Sequence, residues 1–106
     1  MRNKIQLIGH LGQDPDIKEF NGGKTMAKIS VATNDYYKSP KGDRQQTTQW
    51  HNCVAWGRTA KNMERMLKKG KKVAIQGKLV YNSWEDKNGI KRYQSQIWIQ
   101  EFIALN

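Results

Sequence analysis

The segment TTQWHNCVAWGRTAKNMERMLKKG, residues 47–70, contains the clearest change of pattern in the chain. Residues 47–56 alternate as in a β-strand, so the two faces of the strand differ. One face carries compact side chains and the other is rich in tryptophan: His51, Cys53 and Ala55 against Trp50, Asn52, Val54 and Trp56. Residues 59–69 then place apolar side chains at helical spacing, and Gly70 is a typical helix stop. The segment predicts a strand followed by one short helix.

Strand-like alternation recurs on both sides of this segment. Four further stretches are rich in β-branched and aromatic residues at alternate positions: 4–11, 24–33, 72–84 and 91–103. In the third stretch we expect one face to hold the residues of one parity around Gly77, where a barrel strand can bend: Val73, Ile75, Leu79 and Tyr81. In the last stretch a single face is expected to hold Tyr93, Ile97, Ile99 and Ile103.

The connections carry clear turn signals. Residues 12–15 end in Asp-Pro and residues 21–23 read Asn-Gly-Gly, with only a short edge element expected between them. Residues 34–46 are polar and basic, contain Pro40 and Gly42, and are interpreted as a long flexible hairpin loop. Residues 85–89 form another turn. Five strands with one helix between strands 3 and 4 predict an all-β Greek-key barrel, the OB-fold, over one domain of residues 1–106.

Charge and composition narrow the class of partner. The chain of 106 residues has 19 Lys and Arg against nine Asp and Glu, a formal net charge of +10, which favours a polyanionic partner. Its 37% hydrophobic residues include no membrane-length apolar run, and residues 1–12 do not resemble a signal peptide. Cys53 is the single cysteine, which excludes an internal disulfide and fits a reducing compartment. We expect a soluble cytoplasmic protein.

Aromatic residues occur where the positive charge is concentrated. Trp50 and Trp56 share a strand face and lie about 20 Å apart at about 3.3 Å per residue. The adjacent pair Tyr36 and Tyr37 opens the basic loop, and Trp84 stands at the tip of the fourth strand. Aromatic rings stack bases at about 1–3 kcal/mol each without reading sequence, while Lys and Arg follow the phosphates. Because duplex bases are already stacked, the pattern predicts binding to single-stranded nucleic acid.

Each aromatic residue also has a structural alternative. Trp50 and Trp56 would lie in the core if the opposite face of their strand pointed outward, although Asn52 between them would be a poor core residue. The separate structural alternative for Trp84 is a hairpin-tip residue that covers apolar surface or packs on another subunit. Trp98, flanked by two isoleucines, is interpreted as structural or interfacial.

Catalysis has little support in the sequence. His10 and His51 lie in strand patterns without a nucleophile and base arrangement, and Cys53 is expected in the core. The acidic pair Glu85 and Asp86 precedes Asn-Gly and is interpreted as a solvated turn. No phosphate-binding glycine motif and no metal-ligand cluster is present. We expect a binding protein without catalytic residues, metal or cofactor.

Several short motifs occur in a fixed order along the chain. They are NKIQLIGHLGQDP at 3–15, NGG at 21–23, ISVAT at 29–33, QWH at 49–51, VAWG at 54–57, LKKG at 67–70, VAIQG at 73–77 and the hairpin from Trp84 to Tyr93. In this order they resemble the bacterial single-stranded DNA-binding protein family over nearly the whole chain. The resemblance implies an OB-fold that wraps single-stranded DNA around a homotetramer during DNA replication, recombination and repair, without a cofactor.

The resemblance also implies the residues of the site. The stacking residues would be Tyr37, Trp50, Trp56 and Trp84, although Tyr37 stands where tryptophan is common and Trp56 where phenylalanine is common. We further assign phosphate contacts to Lys38, Arg58, Lys69 and Lys78, and an oligomer interface to His51 and Trp98. Asn52 replaces a frequent arginine, so no phosphate contact is assigned to it.

The family usually continues into a flexible linker and an acidic tip that recruits other proteins, whereas this sequence stops at Asn106. It is either a DNA-binding core on its own or a naturally tailless relative, and tail-mediated replication and repair partners are not expected for it. Two other classes stay open from the residues. One is a basic RNA-binding or ribosome-associated OB domain, and the other is a protein-interaction module built on the same fold.

Overall fold

The computed structural model describes residues 2–105 and contains six strands and one helix. The elements are β1 (Ile5–Leu11), β2 (Asp16–Phe20), β3 (Lys24–Lys38), β4 (Arg44–Trp56), α1 (Gly57–Met66), β5 (Lys72–Glu85) and β6 (Lys91–Leu105). β2 is the short edge element expected between the first two turns, and it pairs with β3 alone. The other five strands correspond to the five strands predicted from alternation.

These five strands close into a barrel. Their order is β1-β5-β6-β4-β3, and β3 pairs back with β1 through Leu11 and Val31. β4 and β6 run parallel, whereas the other neighbouring strands run antiparallel. Closure brings backbones close together, since a Cβ on Gly9 would overlap the carbonyl oxygen of Ala32. The expected OB-fold is confirmed, with the helix between the third and fourth barrel strands.

The barrel interior is filled by the inward parity of each strand. Its fully buried members include Ala27 and Val31 of β3, Cys53 and Ala55 of β4, and Val73 of β5. Ala60 and Met63 of α1 are fully buried, and the helix packs on β3, β4 and β6. Burying this apolar surface stabilises the fold by about 25 cal/mol per Å². The inward placement of Cys53 and Ala55 leaves the opposite face of β4 pointing outward.

A β-bulge between β5 and β6 changes which residues point inward. The register runs from Gln76 opposite Glu101 to Gly77 opposite Ile99, so one residue of β6 is left without a partner. Past the bulge, Phe102 packs against the core, whereas Ile103 is 63% exposed. The expectation that Ile97, Ile99 and Ile103 share one face is therefore wrong for Ile103, because one inserted residue reverses the alternation.

The two long hairpins extend beyond the barrel. β3 and β4 stay paired as far as Lys38 and Arg44, so the predicted flexible loop over 34–46 is mostly strand, with its turn at residues 39–43. In the β5–β6 hairpin, Tyr81 and Tyr93 share the parity of core residues but are exposed, because no interior lies beneath them there. A two-stranded ribbon has solvent on both faces and therefore lacks the alternation that would reveal it in the sequence.

Candidate nucleic-acid interface

The outer face of β4 carries the two tryptophans of the predicted stacking surface. Trp50 is 59% exposed and Trp56 is 43% exposed, so their alternative placement in the core is not observed. Asn52 between them is also exposed. Val54 shares this outward parity but is buried, and its register partner on β6 is Trp98. The strand therefore presents two open rings with exposed Asn52 and buried Val54 between them, and Trp98 adjoins Val54.

Trp50 rests on the turn that follows β1. A Cβ on Gly12 would overlap atom Cζ3 of the indole and lie 2.8 Å from Cη2, so the ring contacts the bare glycine backbone. The turn itself is anchored, because the Gly12 N–H donates to the Ser30 carbonyl at 2.9 Å. The Asp14 carboxylate accepts a 2.8 Å hydrogen bond from the backbone N–H of Lys69. One side of the indole is thus supported while much of it stays open to solvent.

Trp56 lies in a row of three aromatic rings. Its centroid is 6.2 Å from that of Phe20 at an interplanar angle of 33°. The centroid of Trp98 lies 6.3 Å from that of Trp56, in an edge-to-face arrangement at 67°. Phe20 is 45% exposed at the end of β2, and Trp98 is partly buried on β6. Contacts of this kind contribute about 0.5–1.5 kcal/mol each. The two neighbouring rings therefore fix the orientation of Trp56 while part of it stays exposed.

The β3–β4 hairpin carries the tyrosine pair. Both rings are more than half exposed, but they point to opposite faces of the hairpin. Tyr36 pairs with Gln46 and has the same outward parity as Trp50, whereas Tyr37 has the opposite parity. The guanidinium of Arg44 lies 4.5 Å above the Tyr36 ring. The structure therefore leaves the Tyr37 ring open and covers one side of Tyr36 with a cation.

Trp84 stands near the tip of the β5–β6 hairpin and is 47% exposed. The adjoining turn is organised by Asp86, whose Oδ1 accepts backbone N–H bonds from Asn88 and Ile90 at 2.9 and 3.0 Å. Arg92, the register partner of Trp84, donates to Asp86 Oδ2 at 2.9 Å. The hydrogen bond from Ile90, followed by that from Arg92, lowers the pKa of Asp86. The predicted solvated turn is thus a network that positions the base of the Trp84 platform.

The four predicted phosphate contacts occupy separate places. Lys38 ends β3 opposite Arg44, and Arg58 lies in the first turn of α1, two residues after Trp56. Lys69 lies beyond the helix beside Asp14, and the ammonium of Lys78 lies 5.6 Å above the Trp98 ring. All four side chains are exposed. The structure places Lys78 over an aromatic ring and Lys38 beside the tyrosine pair, whereas Lys69 lies at the turn that supports Trp50.

Positive charge on the described part of the chain is almost free of internal pairing. The ion pair formed within residues 2–105 joins Arg92 to Asp86. The remaining Lys and Arg therefore make no ion pair with a described carboxylate and are available to phosphates. Sequence reasoning missed Phe20 and Arg44 as neighbours of the stacking residues. The signal for Phe20 was the alternation of β2. The signal for Arg44 was a basic residue placed across the hairpin from the tyrosine pair.

His51, predicted at an oligomer interface, lies partly buried at one end of the barrel. Its Nε2 is 2.9 Å from the hydroxyl oxygen of Thr33. Burial raises the pKa of the neighbouring Cys53 thiol to about 12, which makes it an inert core residue at neutral pH. Residues 2–105 contain no group of three or more His, Cys, Asp or Glu placed to hold a metal ion. No helix among these residues has the length and apolar character required to cross a bilayer.

Comparison with known proteins gives a consistent family. The model of the single-strand binding protein family matches residues 2–105. The single-stranded DNA-binding protein 1 of Chlorobaculum tepidum is 43% identical over 96 residues, which cover 90% of this chain and 59% of that protein. Its namesake from Xylella fastidiosa is 41% identical over 104 residues, covering 97% of this chain and 76% of that protein. The chain therefore spans about three-fifths of the length of the Chlorobaculum tepidum protein.

Solved structures agree with the barrel. The SSB of Plasmodium falciparum in complex with single-stranded DNA superposes with a TM-score of 0.90 at 31% identity, covering all of this chain and 96% of that one. A deletion mutant of the single-stranded DNA-binding protein from Thermus aquaticus gives a TM-score of 0.85 at 26% identity over 98% of this chain and 50% of that chain. The likeness therefore extends over both long hairpins as well as the barrel.

Proposed function

The chain belongs to the single-strand binding protein family, and on that premise we propose that it binds single-stranded DNA with little sequence specificity. Bases stack on the exposed aromatic rings and Lys and Arg side chains neutralise the phosphates. Bound in this way, single strands would be protected during DNA replication, recombination and repair. The chain is a binding protein and not an enzyme, and its place is the cytoplasm, at the nucleoid where single strands are exposed.

The carrying observation is the combination of open rings and unpaired cations on the described surface. Tyr37, Trp50, Trp56 and Trp84 are each between 43% and 59% exposed, too open for rings that serve only as core. Stacked bases contribute about 1–3 kcal/mol each at such platforms, whichever base is present. Exposed Lys38, Arg58, Lys69 and Lys78 supply the positive charge, and Tyr37 adds a ring on the hairpin face opposite to that of Trp50. Together they favour an unpaired strand, whose bases can reach the rings.

The test compares nucleic acids at matched salt. Oligo-dT, oligo-U and duplex DNA of equal length would be titrated by fluorescence anisotropy from low to high salt. Each phosphate contact should contribute a slope of about −0.7 in log affinity against log salt on a single strand, whereas stacking is insensitive to salt. We expect oligo-dT binding to persist at salt concentrations that release duplex DNA. Equal affinity for duplex would contradict the stacking model, and stronger binding to oligo-U would favour the RNA-binding alternative.

A homotetramer is part of the proposal. The outer face of β1, β5 and β6 exposes Ile8 at 61% and Ile103 at 63%, and neighbouring exposed apolar residues of this kind favour contact with another protein surface. His51 at the barrel end is a further candidate contact. Light scattering at micromolar concentration should give the mass of about four chains. A stable monomer would remove wrapping around a tetramer but leave single-strand binding intact.

A further inference from the structure

The outer surface next to Trp56 contains an aromatic residue that the stacking assignment leaves out. Trp98 points outward from β6, whereas its neighbours Ile97 and Ile99 face the core. Its ring packs edge-to-face with that of Trp56 and lies beneath the ammonium of Lys78. Building on the proposed function, we propose that Trp98 is a further DNA-binding residue and forms one composite platform with Phe20 and Trp56.

The strand register places Trp98 between two assigned stacking residues. Trp98 is paired with Lys78, and Trp84 is paired with Arg92, six residues further along the same face of the hairpin. At about 3.3 Å per residue this separates Trp98 from Trp84 by about 20 Å. The intervening surface is polar, with the Asn82 amide donating to Gln96 Oε1 at 2.7 Å. A DNA strand that runs from Trp56 towards Trp84 would therefore pass over Trp98.

Charge complementarity selects a nucleic acid as the occupant of this surface. Lys78 lies above Trp98, and exposed Lys28 is the β3 register partner of Val54. Lys18 lies one strand further out, on β2, where it pairs with Met26 of β3. An apolar protein surface would leave these cations without partners. A nucleic-acid strand provides phosphates for the lysines and bases for the aromatic rings. Trp98 would contribute ring surface and Lys78 would contribute charge.

The cation above Trp98 does not prevent stacking. A cation–π contact at an exposed site favours the closed arrangement by only about 2- to 5-fold. A stacked base favours binding by about 5- to 150-fold. An arriving base therefore displaces the ammonium from the ring, and Lys78 remains close enough to contact the adjacent phosphate. The same lysine would cover the ring in the free protein and neutralise the backbone in the complex.

The decisive experiment is photocrosslinking to oligo-dT carrying 5-iododeoxyuridine, followed by mass spectrometry of the peptides. We expect adducts on Trp98 as well as on Trp56. Adducts on Trp50, Trp56 and Trp84 without any on Trp98 would overturn this inference and leave the proposed function standing. Absence of binding to oligo-dT altogether would instead defeat the proposed function.

Substitutions provide the second measurement. Trp98→Leu keeps apolar cover over Val54 and removes the aromatic face, so oligo-dT affinity should fall about 5-fold or more, while Trp98→Phe should retain most of it. Tyr81→Leu is the matched control, because Tyr81 is exposed on the other face of the hairpin, and its affinity should not change. Light scattering of each variant tests the interface alternative. A Trp98→Leu protein that dissociates into smaller species, with unchanged affinity per subunit, would assign Trp98 to the oligomer interface and overturn the proposal.

Discussion

Replacing Trp50 with alanine separates the two roles that an aromatic residue on a strand can have. The indole is 59% exposed. Its buried part is about 100 Å² of a large aromatic side chain, which sets an upper bound of about 2.5 kcal/mol at about 25 cal/mol per Å². Allowing for the area that alanine retains and for a compact unfolded state, we expect a loss of about 1–2 kcal/mol in the free energy of unfolding. A fully buried tryptophan would lose about 3–5 kcal/mol.

The same substitution should also lower the affinity for oligo-dT. One stacked base contributes about 1–3 kcal/mol, so Trp50→Ala should weaken oligo-dT binding about 5- to 150-fold. Trp50→Phe retains a stacking face and should recover most of that loss. Tyr81→Ala, an exposed aromatic away from the β4 face, controls for general surface effects. The assays are anisotropy with labelled oligo-dT and thermal unfolding by circular dichroism.

The outcome that would refute this reasoning is specific. If Trp50→Ala remains folded and binds oligo-dT with the affinity of the original chain, Trp50 is not a stacking platform. If it unfolds at the temperature expected for a loss of about 3–5 kcal/mol, the ring has a structural role that its exposure does not reveal. A melting temperature lowered by about 4–8 °C per kcal/mol, together with weakened binding, is the expected result.

Three further predictions rest on single contacts. Gly12→Ala should push the Trp50 ring from its support and weaken oligo-dT binding severalfold, yet have no effect in the Trp50→Ala background; an equal effect in both backgrounds would show that the glycine acts elsewhere. Cys53 should react with an aromatic disulfide reagent at neutral pH only after unfolding in denaturant, because burial raises its pKa to about 12, and fast labelling of the native protein would contradict this. Asp86 has a lowered pKa in the folded state, so its contribution to the hairpin turn is present above the ordinary carboxyl pKa and is lost as the pH falls through the lowered value. Amide exchange at Ile90 by NMR should accelerate over that acidic range, and Asp86→Asn should abolish the dependence.

Local pattern predicted most of the fold. The alternation of β4 identified Cys53 and Ala55 as inward residues, and both are buried. The helix was expected over 59–69 and is observed at Gly57–Met66, a displacement of about one turn at most. These features follow from periodicity within one element, which needs no information from the rest of the chain.

The candidate site was less complete in the sequence. Exposure of Trp50 and Trp56 was predicted from one strand alone, because Cys53 and Ala55 suited the opposite face. The β3–β4 ribbon was expected as a loop, since solvent on both faces erases the alternation. The sequence did not decide which tyrosine lies on the same face as Trp50. The pairing of Tyr36 with Gln46 shows that it is Tyr36.

The sequence alone determined that this is a basic five-stranded barrel with aromatic residues set among cations, because charge, strand period and the single helix are local properties. The tertiary structure decided the facing of Ile103, through one unpaired residue in β6 that reverses the parity of everything after it. It also decided that Phe20, Trp56 and Trp98 form a single row. Those rings come from β2, β4 and β6, and only the pairing of β2 with β3, of β3 with β4 and of β4 with β6, which joins strands distant in sequence, brings them side by side.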